Sequence, residues 1–591
     1  MRYHSLLLLF LTAVIFNSCK KESNSPVVEC QEDLSTLSSF LSEKNEQNIL
    51  LTNVEEINGV YHFTFENGET QQFANSCFER IDKNEAEWNY SILLSNGDQL
   101  TVGTIGQLDI STIVNPEGHS PLVAQLSLTA KRKGKVFIKV IGKNGPFSDA
   151  SHQFDDYATQ HSVPIMGLYP EHNNQVEVSF TDANGNIRIT ENITIELGSI
   201  PNLFPEITVD VRKEAAMEGH FVLVSNRRAY EGGDKPYIFD AFGDIRWFFN
   251  FQNHPELNSL GYDAGIERLK NGNFYFGNWS TSTIYEVDVY GKIVNRWAFP
   301  GYGFHHNVQE KTDGNFLVTV NKWGSLHDNG NNTVEEVIIE IDRQTGNIVA
   351  EWDLKESLDE YRTAWVHVLS NEYVDWFHAN AVIEDPSDNT IIVSGRHQGL
   401  VKLDYNNQVQ WIMGPHFGWG QNRMGQDLNE YLLTPIDATG NAITDTDYLN
   451  GFDNHPDFEW NWYQHAPLIL PNGNLMLFDN GDVRNFTYDE RYSRAVEYKI
   501  NKEEGTVQQI WQYGKERGIE TFSSIVSDVD YLPNKNNILF SPGAYVNNQP
   551  DGFGAKVVEL NFATKEVVFE AKIESDGIVL HRAEKINLYP Q

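Results

Sequence analysis

A chain of 591 residues with 44 Lys and Arg against 82 Asp and Glu has a formal net charge of −38, which excludes a nucleic-acid-binding role because phosphate contacts require clustered cations. The length exceeds one ordinary core, so two or three domains are expected. Aromatic residues make up 12% of the chain and glycines number 44, a composition that favours all-β structure with many Asn-Gly and Asp-Gly turns.

The N-terminus predicts a targeting segment. Met1-Arg2 precedes an apolar run, Leu6 to Phe16, which is too short to span a bilayer. The run ends in Phe16-Asn-Ser-Cys19, which resembles a bacterial lipobox, although Phe16 replaces the usual Leu. We therefore predict a lipoprotein signal peptide over residues 1–19, lipidation at Cys19, and a polar tether over 20–27. An ordinary signal peptide is the alternative. The predicted location is the cell envelope, at the periplasmic or outer-membrane surface.

The two remaining cysteines, Cys30 and Cys77, predict one structural disulfide in an exported chain. They lie in a small module over residues 28–105, for which helical spacing from Leu34 to Leu41 and strands further on predict an α+β structure of unknown role. The strands are expected at Val60 to Phe65 and Trp88 to Leu94.

Residues 119–200 alternate apolar and polar side chains in several short runs. Turn signals such as Asp182-Ala-Asn-Gly separate the runs. Short alternating strands between turns predict a β-sandwich.

A repeat extends over residues 203–591. Each unit has a strand, an Asn-Gly-Asn-type turn, an apolar strand, a Glu-x-Asp motif or a relative, and a last strand with a closing aromatic. A period of about 50 to 60 residues with several strands per unit predicts a β-propeller. The closing aromatics predict six blades: Trp247, Trp297, Trp352, Trp411, Trp511 and Phe569.

One interval between closing aromatics is doubled, from Trp411 to Trp511, yet it holds a single Asn-Gly-Asn turn at Asn472-Gly473. The excess predicts an insertion over about residues 414–460 rather than a missing blade. The C-terminal run, Gly577 to Tyr589, is expected to supply the last strand that closes the ring.

Three histidines, His306, His378 and His465, occupy the same phase of the repeat in blades three to five. In a propeller this phase begins the innermost strand, at the mouth of the central channel, so the imidazoles are expected to converge. Arg396 follows one strand after His378. Asn380 lies two residues past His378, on the same face of a strand, and adds an amide donor.

Three chemistries are compatible with this group. Three imidazoles with an open position suit zinc, but a fixed cation such as Arg396 is unfavourable beside a dication without carboxylates, so no metal is predicted. Imidazoles and an arginine fork would bind a sulfate or phosphate group and stabilise charge at its oxygens, and one imidazole could attack as a nucleophile. The third option is that each histidine satisfies only local hydrogen bonds.

Four segments of the propeller resemble the bacterial arylsulfate sulfotransferases, the enzymes that work without a nucleotide sulfate donor. The segments are Asp375-Trp-Phe-His378-Ala-Asn380, Ser394-Gly-Arg396-His397-Gln, Gln464-His465 and His306-Asn-Val. The resemblance covers about residues 119–591 and includes Ser162-Val-Pro-Ile-Met-Gly-Leu-Tyr169-Pro in the sandwich; residues 28–105 fall outside it. It implies a ping-pong reaction in which a phenolic sulfate ester sulfates a histidine and a phenol then collects the sulfuryl group.

The resemblance also implies roles for individual residues. His465 carries the nucleophile role, and sulfate-oxygen binding falls to His306, His378, Asn380 and Arg396. Ser523 or Ser524 is expected to line the pocket, and His397 to point away from it. The family implies no cofactor. Aromatics of the insertion and the strand after it could stack on a phenol ring or could simply pack the loop: Trp419, Tyr431, Trp460, Trp462 and Tyr463.

Two other functions stay open at this point: an aryl sulfate ester hydrolase and a cell-surface binding propeller without chemistry. The implied partners are a small phenolic sulfate donor, a phenol acceptor and the membrane that holds the lipid anchor. The oligomeric state also stays open. A homodimer is one option, because the sandwich could cap the propeller of its own chain or that of a partner.

Overall fold

The computed structural model describes residues 30, 34–47, 49–84, 89–104, 108–185, 187–200, 204–227, 234–262, 265–362, 368–369, 373–548, 552–574 and 579–590. These residues form an all-β structure with a few short helices, so the predicted fold class is confirmed. The predicted signal peptide, Cys19 and the tether lie outside the described residues. No helix within the described ranges is long and apolar enough to cross a bilayer.

The N-terminal module places one helix against two three-stranded antiparallel sheets, with Leu37, Leu41 and Phe63 in its core. Cys30 and Cys77 are joined by a disulfide. Trp88 lies outside the described residues. The elements are the helix Leu34–Glu46 and the strands Leu51–Ile57, Val60–Phe65, Thr70–Ala74, Phe78–Asn84, Asn89–Leu94 and Gln99–Gly103.

The sandwich is built around one long strand, Ala124–Val140, which takes part in both layers. Its first half pairs with Asp109–Val114 and Ala158–Ile165, and its second half pairs with Ala150–Gln153 and His172–Thr181. The strand Ile187–Leu197 extends the second layer. Gly134 lies where the long strand passes between layers, and a Cβ there would meet the Phe180 ring at 2.3 Å. Only glycine permits this close approach.

Within the described residues the propeller has six four-stranded antiparallel blades. From innermost to outermost strand they are blade 1, Val579–Lys585, Phe221–Arg227, Tyr237–Asp240 and Ile245–Phe248; blade 2, Glu267–Arg268, Phe274–Asn278, Thr283–Val287 and Ile293–Ala298; blade 3, Tyr302–Glu310, Phe316–Lys322, Val337–Ile341 and Ile348–Asp353; blade 4, Ala379–Asp385, Thr390–Gly395, Gly399–Leu403 and Val409–Met413; blade 5, His465–Ile469, Leu475–Asp479, Arg494–Asn501 and Thr506–Tyr513; blade 6, Asp528–Leu532, Asn537–Ser541, Phe553–Asn561 and Val567–Glu574.

The ring is closed by strands from both ends of the propeller sequence. Val579–Lys585 pairs with Phe221–Arg227 as the innermost strand of blade 1, which confirms the predicted closure. At the other edge, Glu206–Arg212 pairs with Val567–Glu574 outside blade 6. Because early and late strands share blades 1 and 6, opening the ring would break sheet hydrogen bonds in both.

The closing aromatics all lie on outermost strands, and their spacing has a structural cause. The indole Nε1 of Trp297 donates to the carbonyl of Arg343 at 2.8 Å, across to the next blade. Trp352 donates likewise to Asp404 at 2.8 Å. Trp511 donates to the carbonyl of Phe562 at 2.9 Å. Each of these three bonds joins a blade to its successor, whereas the indole nitrogens of Trp247 and Trp411 are buried with no hydrogen-bond partner among the described residues.

The Asn-Gly-Asn turns also have a structural partner. In blade 5, Asn472 and Asn474 both donate to Glu497, at 3.0 and 2.7 Å. In blade 2, Asn271 and Asn273 donate to Glu286 in the same way. The buried glutamate on the third strand is therefore satisfied by the turn.

The insertion between blades 4 and 5 does not form a further blade. Its strand Thr434–Ile436 adds in parallel to Thr506–Tyr513, at the outer edge of blade 5. Trp419, Trp460, Trp462 and Tyr463 are all buried; Trp419 and Trp460 pack in hydrophobic cores. These two indoles therefore pack the loop and are not a platform for a phenol ring. The remaining short elements are the helices Leu354–Ser357 and Thr446–Leu449, the 3-10 turns Asn75–Cys77, Pro146–Ser148, Leu428–Tyr431, Arg484–Phe486 and Lys515–Thr521, and the strands Asn332–Thr333, Val368–Leu369, Tyr373–Asp375 and Val546–Asn547.

The sandwich is joined to blade 1 by a fully buried arginine. Arg246 forms an ion pair with Asp240 at 2.7 Å and donates to Gly167 O, Ser148 O and the Tyr169 hydroxyl at 2.6 to 3.0 Å. Gly167 and Tyr169 belong to the sandwich segment on which the family resemblance partly rests. This segment is therefore an attachment surface for the propeller.

Candidate active site

His306 lies within the innermost strand of blade 3, His378 directly precedes that of blade 4, and His465 begins that of blade 5. The expectation that all three begin their strands is therefore wrong for His306. The Nε2 atoms of His306 and His378 are 3.0 Å apart. Arg396, which follows the second strand of blade 4, places Nη1 3.5 Å from His378 Nε2. The structure therefore brings these two imidazoles and the guanidinium into one group, with His465 on the adjoining blade.

The backbone beneath the group is strained. His306 and His378 have φ values of 48° and 57°, in the left-handed region that non-glycine residues avoid. The register of the innermost strand shifts across His306, between Phe304 and Val308, and just after His378, between Ala379 and Ala381. Each such residue costs on the order of 1–3 kcal/mol and persists only where surrounding contacts fix it. Here the Arg396 N–H donates to His378 O at 2.9 Å.

Two carboxylates that the sequence analysis did not identify surround His378. Its Nδ1 lies 2.6 Å from Asp375 Oδ2 and 2.7 Å from Glu335 Oε2. Burial favours the neutral imidazole, but the charges of Glu335 and Asp375 outweigh it and raise the pKa of His378 to about 9. Burial likewise opposes ionisation of Asp375, yet the hydrogen bond from His378 and the nearby His397 ring lower its pKa to about 2.

Sequence signals for these carboxylates differ. Asp375 begins the Asp375-Trp-Phe-His378 segment, so its position three residues before a histidine was available as a signal. Glu335 lies in an irregular turn between two strands of blade 3, and no periodicity points to it.

His465 has a different environment. Its Nδ1 lies 2.9 Å from the carbonyl of Tyr463 and 2.8 Å from Asn480 Oδ1. Both partners are acceptors, so Nδ1 carries the proton and Nε2 has the lone pair. Burial first, and then the Arg396 charge, hold the pKa of His465 well below its usual range. His465 is therefore a neutral imidazole whose Nε2 carries the lone pair.

Asn480 was not predicted and it fixes this tautomer. Its Nδ2 donates to Ser523 O at 2.8 Å and Val526 O at 3.0 Å, which leaves Oδ1 facing His465. Ser523 therefore contributes its carbonyl, while its hydroxyl donates to Ile525 O at 3.0 Å. Ser524 lies half-buried in the same loop.

Asn380 lies between blades 4 and 5. Its Nδ2 donates to the carbonyl of Gln464 at 2.7 Å, and its Oδ1 is buried without a hydrogen bond. The Gln464 amide in turn donates to Ser394 Oγ and Gly395 O, at 3.0 and 2.9 Å. Asn380 thus positions the peptide that precedes His465.

The predicted orientation of His397 is wrong. Its Nε2 lies 3.6 Å from Asp375 Oδ2, and its ring centroid is 5.4 Å from that of His378. The strand alternation on which the prediction relied ends at Gly395, and a turn follows. A further imidazole, His581 on the innermost strand of blade 1, has its ring centroid 6.3 Å from that of His306.

Carboxylates lie beside these histidines, contrary to the assumption on which the prediction of no metal rested. Potential ligand atoms lie within 4.8 Å of one another in two sets, one of His305, His306 and Glu335, and one of Asp375, His378 and His397. However, His378 Nδ1 is hydrogen-bonded to Asp375, and its Nε2 faces His306 and a permanent cation. We therefore assign no metal to these side chains.

Comparisons with known proteins agree with this geometry. The family model described as Arylsulfotransferase (ASST) matches residues 206–580, and that described as Arylsulfotransferase Ig-like domain matches residues 111–198. The chain is 29% identical over 560 residues to the arylsulfate sulfotransferase AssT of Escherichia coli O6:H1, covering 80% of this chain and 91% of that protein. It is 28% identical over 555 residues to AssT of Lelliottia amnigena, covering 78% and 90%.

Among solved structures, a Bacteroides caccae protein of unknown function has 10% identity and a TM-score of 0.35, covering 62% of this chain and 97% of that one. A likeness at this level carries no functional argument. The match to the catalytic family model spans more than half of the chain and contains His306, His378, His397 and His465. The chain belongs to the arylsulfotransferase (ASST) family of enzymes.

Proposed function

We propose that this protein transfers a sulfuryl group from a phenolic sulfate ester to a phenol by a ping-pong reaction through a sulfated His465. The observation that carries the proposal is the tautomer of His465, because a buried neutral imidazole with a fixed Nδ1–H presents its Nε2 lone pair for attack. The curated relatives named arylsulfate sulfotransferase support the substrate class.

In the first half-reaction, the lone pair of His465 Nε2 forms a bond to the donor sulfur. The bond from sulfur to the bridging phenolic oxygen breaks, and its electron pair leaves with the phenoxide. Arg396 and His378 supply positive charge beside the sulfuryl oxygens, and His306 borders the same space. The charge that the ring of His465 gains is stabilised by Asn480 Oδ1 and Tyr463 O.

In the second half-reaction, the oxygen of the acceptor phenol attacks the same sulfur. The nitrogen–sulfur bond breaks, its electron pair returns to His465 Nε2, and the phenolic proton is released. The product is a new phenolic sulfate ester, and the enzyme regains its starting state. No step requires an external oxidant, a nucleotide or a metal.

Intact-mass spectrometry tests the covalent step. Exposure to an aryl sulfate with no acceptor should add roughly 80 Da, the mass of a sulfuryl group, to His465, and a phenol should remove it. His465→Asn should abolish both the adduct and turnover. A wild-type enzyme that turns over the donor without forming the adduct would contradict the proposal.

Two alternative functions are outcomes of the same assay. Release of phenol at a rate unaffected by added acceptor, with free sulfate as product, would identify a hydrolase. Retained binding of the sulfate ester by wild type and His465→Asn, with no turnover by either, would identify a binding protein.

We also propose that Cys19 carries a lipid anchor that holds the enzyme in the cell envelope. The proposal is supported by the lipobox-like Phe16-Asn-Ser-Cys19 segment. Metabolic labelling with a radioactive fatty acid should label the wild-type protein and not Cys19→Ser. Equal labelling of both would refute the anchor.

A further inference from the structure

We propose that Glu335 and Asp375 are positioning residues that act through His378, holding its ring in one orientation and keeping its Nε2 a charged hydrogen-bond donor toward the sulfuryl group. The inference rests on the proposed function for the ligand of that donor, and it assigns roles to two carboxylates that the sequence motifs did not.

The two carboxylates meet at one nitrogen. His378 Nδ1 lies 2.6 Å from Asp375 Oδ2 and 2.7 Å from Glu335 Oε2. An imidazole Nδ1 has one proton, and its direction satisfies Asp375, since Glu335 Oε2 has no hydrogen bond with acceptable geometry. Asp375 therefore orients the ring, and Glu335 acts through its charge.

Glu335 is held in place by the backbone. It has φ of 63°, a third left-handed residue beside His306 and His378. Its N–H donates to Asn321 Oδ1 at 2.6 Å, and its carbonyl accepts from the Ala379 N–H at 2.7 Å. Ala379 follows His378 directly, so Glu335 is attached to the strand that it serves. Strain that neighbouring contacts maintain is characteristic of functional sites.

The strand that carries Asp375 is placed by the same part of blade 3. Tyr373–Asp375 pairs in parallel with Asn332–Thr333, two residues before Glu335. The pairing brings the two carboxylates to the same nitrogen of one imidazole, although they are 40 residues apart in sequence.

The charges around His378 determine whether its ring is protonated. Glu335 and Asp375 face Nδ1, while His306 and Arg396 face Nε2 at 3.0 and 3.5 Å. His397 Nε2 lies 3.6 Å from the Asp375 oxygen that His378 contacts. Two anions within 3 Å favour the protonated ring more than the single guanidinium opposes it, in line with a pKa of His378 of about 9.

A protonated His378 has one functional consequence. Both of its nitrogens are donors, and its Nε2–H is directed at His306 Nε2, 3.0 Å away, beside Arg396. A donor ester would take the place of His306 as the acceptor of this N–H. A sulfuryl oxygen placed there would receive one charged N–H from His378 and one from Arg396. Without the carboxylates, the buried ring would be neutral and Nε2 could become an acceptor, which repels an anionic ester.

The experiment uses the full-length enzyme with ¹⁵N-labelled histidine, Glu335→Gln, Asp375→Asn and the double variant. In wild type, NMR titration should show His378 protonated at pH 8. In the double variant His378 should be neutral at that pH, and kcat/KM for an aryl sulfate should fall by about 10²-fold, the effect of losing one charged donor. In wild type, kcat/KM should fall at high pH as His378 loses its proton, and in each single variant this fall should occur at lower pH.

Glu360→Gln is the matched control. Glu360 is a buried carboxylate at the same rim, 3.8 Å from His327 Nε2 and paired with Arg423 at 2.7 Å. The Glu360→Gln substitution should lower thermal stability and leave the dependence of kcat/KM on pH unchanged. This contrast separates a positioning role from a structural one.

Two outcomes would overturn the inference. One is His378 neutral at pH 8 in wild type; the other is an unchanged pH profile and titration in a folded double variant. These readouts are independent of the proposed function, whose own failure would be the absence of a sulfuryl adduct on His465 in wild type. A double variant that does not fold is replaced by the single variants, whose His378 titrations must still shift.

Discussion

His465 Nδ1 lies 2.8 Å from Asn480 Oδ1, and this contact decides which nitrogen of the proposed nucleophile is free. Asn480 is itself held by two carbonyls, Ser523 O and Val526 O. Its amide therefore cannot rotate to present Nδ2 to His465 without leaving both carbonyls unpaired. The site fixes a tautomer by geometry and needs no charged partner, in contrast to the carboxylates that flank His378.

Asn480→Ala should therefore lower kcat by about 10²-fold or more, because His465 would populate the tautomer in which Nε2 carries the proton. KM should change little, since Asn480 faces the side of the ring away from Nε2. Steady-state kinetics with an aryl sulfate measure this split.

Asn537→Ala provides the comparison for that variant. Asn537 is as deeply buried and donates to Glu559 and Ala216 O, at 2.7 and 2.8 Å, in the outer turn of blade 6. It should destabilise the protein and leave kcat unchanged. An equal fall of kcat in both variants would show that the effect of Asn480 is only structural.

The pH dependence follows from the two histidine environments. Activity should fall as pH rises through about 9, where His378 loses its proton. No acid limb near pH 6.5 is expected from His465, since its pKa is held well below that value. A profile of kcat/KM against pH, measured with a phenol whose own ionisation lies outside the range, tests this. A fall of kcat/KM below pH 6.5 would contradict this expectation for His465, unless a variant of another residue removes that fall and so identifies the other residue as its cause.

The free energy of unfolding should depend on the protonation of His378 and Asp375, with opposite directions in pH. His378 has a folded pKa raised above its unfolded value, so its contribution is complete below about pH 6.5 and is lost as pH rises toward 9. Asp375 has a folded pKa lowered to about 2, so its contribution is complete above about pH 4 and is lost as pH falls. Urea unfolding of wild type and Asp375→Asn at pH 3, 5.5 and 9 measures both, with the difference between them expected to be largest near pH 5.5, where both contributions are complete.

The blades could be predicted from sequence because their connections repeat a chemical requirement. Trp297, Trp352 and Trp511 each make the same bond to the next blade, so the spacing of tryptophans reports the spacing of blades. The common phase of His306 and His378 is informative for the same reason, since His306 lies within the innermost strand of blade 3 and His378 directly precedes that of blade 4.

Residues outside the repeat were not predictable in this way. Glu335 reaches the site from a turn in the left-handed conformation, and Asn480 follows a strand with no turn signature of its own. His397 was predicted on the wrong side because strand alternation was extended one turn too far, beyond Gly395. Periodicity locates the positions that a repeat imposes, and it is silent on side chains placed by bulges and turns.

Chelation should leave activity unchanged. The lone pairs and protons around His378 are committed to Asp375, His306 and Arg396, and a dication would have to displace these contacts beside a guanidinium. Assays before and after exhaustive EDTA treatment and gel filtration test this. Loss of activity that zinc or another divalent ion restores would show that the carboxylates serve a metal.

Arg246 should be the residue whose removal most weakens the joint between the sandwich and the propeller. It is fully buried with Asp240 and makes further bonds to Gly167, Ser148 and Tyr169. Arg246→Ala leaves Asp240 buried without its partner and should reduce the free energy of unfolding by about 3–5 kcal/mol.

Three further variants test whether the buried charge is the cause. Arg246→Met, which restores apolar volume but not charge, should still be destabilised. Arg246→Met combined with Asp240→Asn should recover part of the loss because no charge remains buried. Arg296→Ala, which breaks the exposed pair with Glu256, should change stability by no more than about 1 kcal/mol. Denaturant unfolding measures all four variants, and equal losses for Arg246→Ala and Arg296→Ala would contradict the assignment of the joint to this buried network.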